Sequence, residues 1–322
     1  MILGRAIAGA VLVLMTGCAG SPTLRDADLR ALPRARELQS VPFFPQQQYQ
    51  CGPAALATVL VHAGRVTSPE SLTPQVYLPQ RQGSLQVELL GATRRHDVVP
   101  YVLPKSGRAI VDAVMDGYPV LVLQNVGVPS VPFWHYAVVV GVDTARDRVV
   151  LRSGTQRRRT MSGRRFLQSW IWGGQWAIVA LEPASIPAWA QAQPYLEAAA
   201  GLESAARLTA AESAYRAAIG RWPQEHLAWL GLGTVAYRSE RRVDAAQAWT
   251  EAARLAPDSV AALNNLATVF GELGCLQSAR ELATRALALA GDGPLAAAAL
   301  RTQQALPSSA TARCSLPSEL AR

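Results

Sequence analysis

Lysine is almost missing from this chain: Lys105 is the only one among 31 basic residues, the rest being arginine, set against 23 acidic residues for a formal net charge of +8. A surplus carried by arginine alone reads as codon bias. No zinc-finger spacing, helix-turn-helix pattern or aromatic RNA-binding signature accompanies it, so nucleic acid is not an expected partner. Cysteine is scarce as well. The four present, Cys18, Cys51, Cys275 and Cys314, form no CxxC pair, which speaks against a structural zinc site, and no metal or cofactor is expected. With 17% charged and 50% apolar residues the chain is too apolar to be disordered, and its 322 residues suffice for about two domains.

The N-terminus carries Arg5 and then an apolar run from Ala6 to Met15, shorter than the roughly 20 residues that span a bilayer. It reads as a signal-peptide core over residues 1–17. Thr16-Gly17-Cys18 resembles the lipobox of bacterial lipoproteins, which implies lipidation of the Cys18 thiol. Ala19 in place of Asp implies, under the sorting rule of such lipoproteins, an outer-membrane protein on the periplasmic face, held through its N-terminal lipid. Residues 18–40 are expected to be a flexible tether.

The last third repeats with a period of 34. Ala211, Ala245 and Ala279 fall in register, as do Tyr215, Trp249 and Ala283, and Ala218, Ala252 and Ala286; Pro223 and Pro257 close the first two units. Trp229, Leu232, Gly233, Ala245, Trp249, Ala252 and Pro257 of the middle unit resemble the tetratricopeptide repeat. The resemblance implies an all-α solenoid of three repeats over 192–293 (192–225, 226–259 and 260–293), with a capping helix and tail over 294–322. Its concave groove would hold a protein or peptide partner.

Chemistry is expected in the front domain, residues 41–182, which a linker over 183–191 joins to the repeats. The run Gln46-Gln47-Gln48-Tyr49-Gln50-Cys51-Gly52-Pro53-Ala54 precedes Leu56, Val59 and Leu60 at helical spacing, with Pro53 suited to a first turn and Gly64 to an end. Cys51 therefore opens a helix, where unpaired N–H groups and the helix dipole favour a thiolate. A thiolate nucleophile needs a proton acceptor, and there are four histidines. His62, His96 and His226 read as packed or solvated, whereas His135 starts the apolar strand Trp134-His135-Tyr136-Ala137-Val138-Val139-Val140-Gly141-Val142-Asp143.

The pattern Gln-x4-Cys-Gly-Pro-Ala, followed by His at the head of a Val-rich strand, resembles the C39-like branch of papain-type cysteine peptidases over residues 40–182. It implies an α+β papain-like domain, helices first and a largely antiparallel sheet after. The helices are expected over 52–63, 69–73, 85–95, 107–116 and 163–170, the strands near 98–103, 119–124, 135–142, 148–153, 157–161 and 175–181. In function it implies that Cys51 attacks a scissile carbonyl, His135 takes and returns the proton, and Gln46, with Gln47 as the fallback, lends a side-chain N–H to the oxyanion beside the Cys51 amide. One position departs from the family's pattern. Where C39 peptidases that mature bacteriocins carry Asp-Pro, matching the strands brings Ser153-Gly154, and a hydroxyl can orient an imidazole but not stabilise an imidazolium as a carboxylate does. With Cys18 lipidated and Cys51 engaged, Cys275 and Cys314 are the natural disulfide pair.

Arg157 to Arg159 with Arg164 and Arg165 read as a solvated strand and helix start, or as a basic patch for an acidic peptide, anionic lipid or lipopolysaccharide. Trp134 reads either as a shield of the catalytic pair or as core. Three functions remain open: a periplasm-facing thiol peptidase whose repeats recruit a peptide or protein substrate, an adaptor that binds without cutting, or a Cys-His acyl or amide transferase.

Overall fold

The computed structural model describes residues 35–46, 50–307 and 314. In chain order the front domain runs β1 (Ala35–Glu37), α1 (Cys51–His62), α2 (Pro69–Val76), α3 (Gln86–Arg95), β2 (Val99–Val102), α4 (Gly107–Met115), β3 (Val120–Asn125), β4 (Trp134–Asp143), β5 (Arg148–Ser153), β6 (Gln156–Ser162), α5 (Gly163–Trp172) and β7 (Ala177–Leu181). Three helices thus precede most of the sheet, as the sequence pattern predicts. A 3-10 turn at Pro79–Arg81 was not legible in it.

The sheet is antiparallel, in the order β2-β7-β3-β4-β5-β6, with β1 added to β4. Strand β1 corrects the expectation of a tether over 18–40. Ala35 pairs with Asp143 and Glu37 with Gly141, and Leu38 and Val41 are buried. The two apolar side chains and the free edge left on β4 beyond β3 draw this segment into the fold. Residues 18–34, including Cys18, lie outside the described residues.

Helix α1 is buried from Gly52 to Leu60 without a break, so it carries no polar face and serves as the central helix of the domain. Strands β3, β5 and β7 are likewise almost wholly buried, being covered on both faces. One core joins α1, the sheet and the beginning of the helical region.

Among the described residues seven helices follow: α6 (Ala192–Ser204), α7 (Leu208–Arg221), α8 (His226–Arg238), α9 (Arg242–Leu255), α10 (Val260–Glu272), α11 (Leu276–Ala290) and α12 (Ala296–Ala305). The helix starts Ala192, His226 and Val260 step by 34 residues, as do Leu208, Arg242 and Leu276. Small residues face large ones across the helix contacts. A Cβ on Gly231 would lie 2.1 Å from the Tyr215 ring, and one on Gly233 2.4 Å from Trp249, so glycine is what lets these aromatics seat. Cys275 and Cys314 form the expected disulfide, tying the tail to the start of α11.

The linker over 183–191 is packed. Trp189 lies edge-on to Tyr101 and Tyr118 with centroids at 5.6 and 5.7 Å, Gln191 N–H donates to Tyr101 Oη at 2.9 Å, and Tyr195 Oη donates to the Pro183 carbonyl at 2.6 Å. Arg207 grips Asp97 through its Nε–Nη2 edge, donating to the two carboxylate oxygens at 2.7 and 2.5 Å. No described helix is long and apolar enough to cross a membrane.

Candidate active site

Cys51 is the first residue of α1, and the residue before it, Gln50, makes no side-chain cap hydrogen bond. The first-turn amides are therefore left without an intrahelical partner. The amides of Cys51 and Gly52 lie near the Cys51 sulfur and, joined by that of Tyr136, favour its charged form.

That third donor is free because of the sheet register. Strand β3 pairs β4 through Trp134, but the β4–β5 ladder starts only at Val138 opposite Arg152. Ahead of that point the Tyr136 backbone groups have no β5 partner. Its N–H favours the charged form of the Cys51 sulfur, and its carbonyl accepts from Gln46 Nε2 at 3.4 Å. Cys51 thus meets β4 at the peptide that joins His135 to Tyr136.

His135 Nε2 lies 2.9 Å from Ser153 Oγ, at the end of β5, and Ser153 is 2% exposed. The hydroxyl occupies the position the strand matching assigned to it. With Nε2 engaged, Nδ1 is the ring nitrogen left for proton transfer. Gly154, at φ +60°, turns the chain just beyond. Its N–H donates to Gln46 Oε1 and its carbonyl accepts from Gln46 N–H, each at 3.0 Å. Gln46 is therefore fastened by two hydrogen bonds to Gly154 at the β5 end and by one to Tyr136 on β4, and one Nε2 hydrogen remains. Gln47 lies outside the described residues.

The electrostatics correct one expectation. Helix position and three amides pull the Cys51 thiol down, but burial outweighs them and pushes it above its ordinary value. Burial, and secondarily the charge of Arg159, lowers His135 from 6.5 to about 4. The resting pair is accordingly thiol and neutral imidazole.

Several supporting residues had no sequence signal. Ser84 covers the nucleophile turn: a Cβ on Gly52 would meet Ser84 Oγ at 2.3 Å, and Tyr136 Oη donates to the Ser84 carbonyl at 3.2 Å. Buried Arg152 donates to the carbonyls of Val41 at 3.1 Å and Arg157 at 2.7 Å, clamping the segment that leads to Gln46 onto the β5–β6 turn. Gln124, opposite His135, donates to Ser169 Oγ at 2.6 Å. A buried polar side chain of this kind is recognised only through the partner the fold brings to it.

Other expectations sort plainly. Trp134 is 54% exposed and is not core. Trp170 donates from Nε1 to the Trp176 carbonyl at 3.0 Å, and Trp176 packs edge-on to Tyr136, so this pair fastens α5 to the strand after it. His62 Nε2 sits 3.2 Å from the Gly117 carbonyl as a packed residue. Among the described residues no cluster of three or more His, Cys, Asp or Glu could hold a metal ion.

An antiparallel sheet with a buried central helix, a cysteine at that helix's head and a histidine at a strand's head define the papain-like α+β class. Residues 38–177 match the model of the Peptidase C39-like family, so the front of the chain is similar to C39-like peptidase domains. A solved structure described as a C39-like peptidase from Bacillus anthracis is similar at 17% identity, over 46% of this chain and 98% of that one, with a TM-score of 0.40. No curated protein matches the chain at a significant level.

Proposed function

We propose that this protein is a cysteine peptidase that hydrolyses peptide bonds through an acyl-enzyme on Cys51. The observation that carries the reading is the meeting of Cys51 with β4 at the His135–Tyr136 peptide, beside an imidazole held by Ser153. As Cys51 Sγ attacks the carbonyl carbon, its proton passes to His135 Nδ1. The oxyanion is met by the Cys51 amide and the remaining Nε2 hydrogen of Gln46. His135 then returns the proton to the leaving amine, and water, deprotonated by the same nitrogen, releases the acid. The three helix pairs are read as tetratricopeptide repeats that recruit a protein or peptide, and Cys18 as a lipid anchor that holds the enzyme at the periplasmic face of the outer membrane.

Ser153, standing where a carboxylate is expected beside His135, favours a second reading, an adaptor that keeps the fold and binds without cutting. Comparing the protein N-termini of cells carrying wild type and Cys51→Ala separates the two. New N-termini that vanish in the variant support the peptidase; identical sets leave the adaptor.

A further inference from the structure

Four arginines crowd the corner between β5 and β6: Arg152, Arg157, Arg158 and Arg159. Arg152 is buried on backbone carbonyls, and Arg158 is paired with Glu37 at 2.9 and 2.8 Å. Arg157 and Arg159 are exposed, and neither has an acidic partner among the described residues. Among the described residues no strand follows β6 in the sheet order, and β6 is exposed along most of its length.

The register sets Arg159 on the histidine's face. His135, Ala137 and Val139 alternate onto one side of β4; Val139 stands opposite Leu151, and Leu151 opposite Arg159. Ser153, two residues along β5 from Leu151, holds the imidazole. The unpaired guanidinium is therefore carried on the histidine's side of the sheet, on the strand next to the one that ends in Ser153.

We propose that Arg159 determines specificity, receiving a carboxylate of the peptide that lies across Cys51 and His135 and so selecting an Asp or Glu side chain beside the bond to be cut. This rests on the reading of Cys51 and His135 as nucleophile and base. A guanidinium presents a planar fork that matches a carboxylate, and an exposed one keeps it available. The charge of Arg159 already acts on His135, opposing a proton on the ring. A carboxylate bound there offsets that charge while the imidazole is taking the thiol proton, so an acidic substrate both docks and assists its own cleavage.

Paired alkylating agents test the site without turnover. In each, Cys51 Sγ displaces iodide from a CH2 group, and the thiol proton passes to His135 or water; iodoacetate carries a carboxylate and iodoacetamide does not. The iodoacetate-to-iodoacetamide rate ratio should fall at least about five-fold in Arg159→Gln, stay near wild type in Arg159→Lys, and be unmoved in the exposed control Arg164→Gln. Peptide pairs differing only as Glu or Gln next to the scissile bond should be discriminated by wild type and not by Arg159→Gln. If no peptide is cut but the ratio depends on Arg159, the peptidase reading falls and the carboxylate site stands. Peptides cut equally in both forms, with a ratio indifferent to Arg159→Gln, overturn the proposal and leave the peptidase reading intact. Loss of binding to phosphatidylglycerol vesicles in Arg159→Gln, with the ratio unchanged, overturns it in favour of a lipid contact.

Discussion

His135 is held by a hydroxyl rather than a carboxylate: its Nε2 stands 2.9 Å from Ser153 Oγ. A neutral partner orients the ring without favouring its charge, and with burial and Arg159 acting against the proton the ring stays near 4. Ser153→Asp should raise the His135 pKa, followed by NMR titration. Ser153→Ala, which strands a buried ring nitrogen, should cost about 1–3 kcal/mol of stability and lower activity at least tenfold.

The Cys51 thiol should react as a neutral group. Burial raises it above its ordinary value, so alkylation by iodoacetamide should climb only at higher pH than it does for an unperturbed cysteine, whose pKa is about 8.5. A plateau already reached near pH 6 would reveal a resting ion pair and contradict this electrostatic account.

Acid should weaken the fold in a window set by His135. Its folded pKa, about 4, lies below the 6.5 of the free ring, so between these values the unfolded chain binds the extra proton. The stabilisation is fully present above pH 6.5 and is lost as pH falls to about 4, to the order of 3 kcal/mol. His62 and His96 are also lowered by burial and act in the same direction. Denaturant unfolding of wild type and His135→Ala at pH 7 and pH 4 isolates the term, since the variant should lose less between the two.

Gly52 leaves room for Ser84 alone. Gly52→Ala brings a Cβ to 2.3 Å from Ser84 Oγ and 2.6 Å from its Cβ, and should destabilise the domain by about 1–3 kcal/mol while slowing Cys51 chemistry. Adding Ser84→Gly should return most of both, a coupling visible in a double-mutant cycle.

The disulfide fastens the far end of the molecule. Closing the loop between Cys275 and Cys314 contributes up to about 4 kcal/mol by loop entropy. The last helices pack in clusters separate from the main core, with Ala299 of α12 against Leu263 and Ala286. Cys314→Ser should therefore lower the melting temperature of the helical region and leave the Cys51 alkylation rate unchanged; a change in that rate would show the two ends to be coupled.

Periodicity and punctuation in the chain suffice for its elements. The helix head at Cys51, the Val-rich strand from Trp134 and the 34-residue step of the helix pairs are local patterns, and each stands where the residues put it. Ser153 was also legible, because antiparallel pairing of two adjacent strands is nearly fixed by the short turn between them. Strand β1 was not legible, since three residues of a polar segment become a strand only when β4 offers an edge. Nor were Ser84, Arg152 and Gln124, whose partners are 32, 111 and 45 positions away.

The residue types that could do chemistry, and the elements that carry them, were settled by local composition, because helix and strand patterns depend on neighbours within a few positions. The ionisation of those residues was decided by tertiary structure alone. A helix N-terminus favours a thiolate wherever it occurs, but how much water the fold removes from Cys51 and His135 depends on packing between elements far apart along the chain.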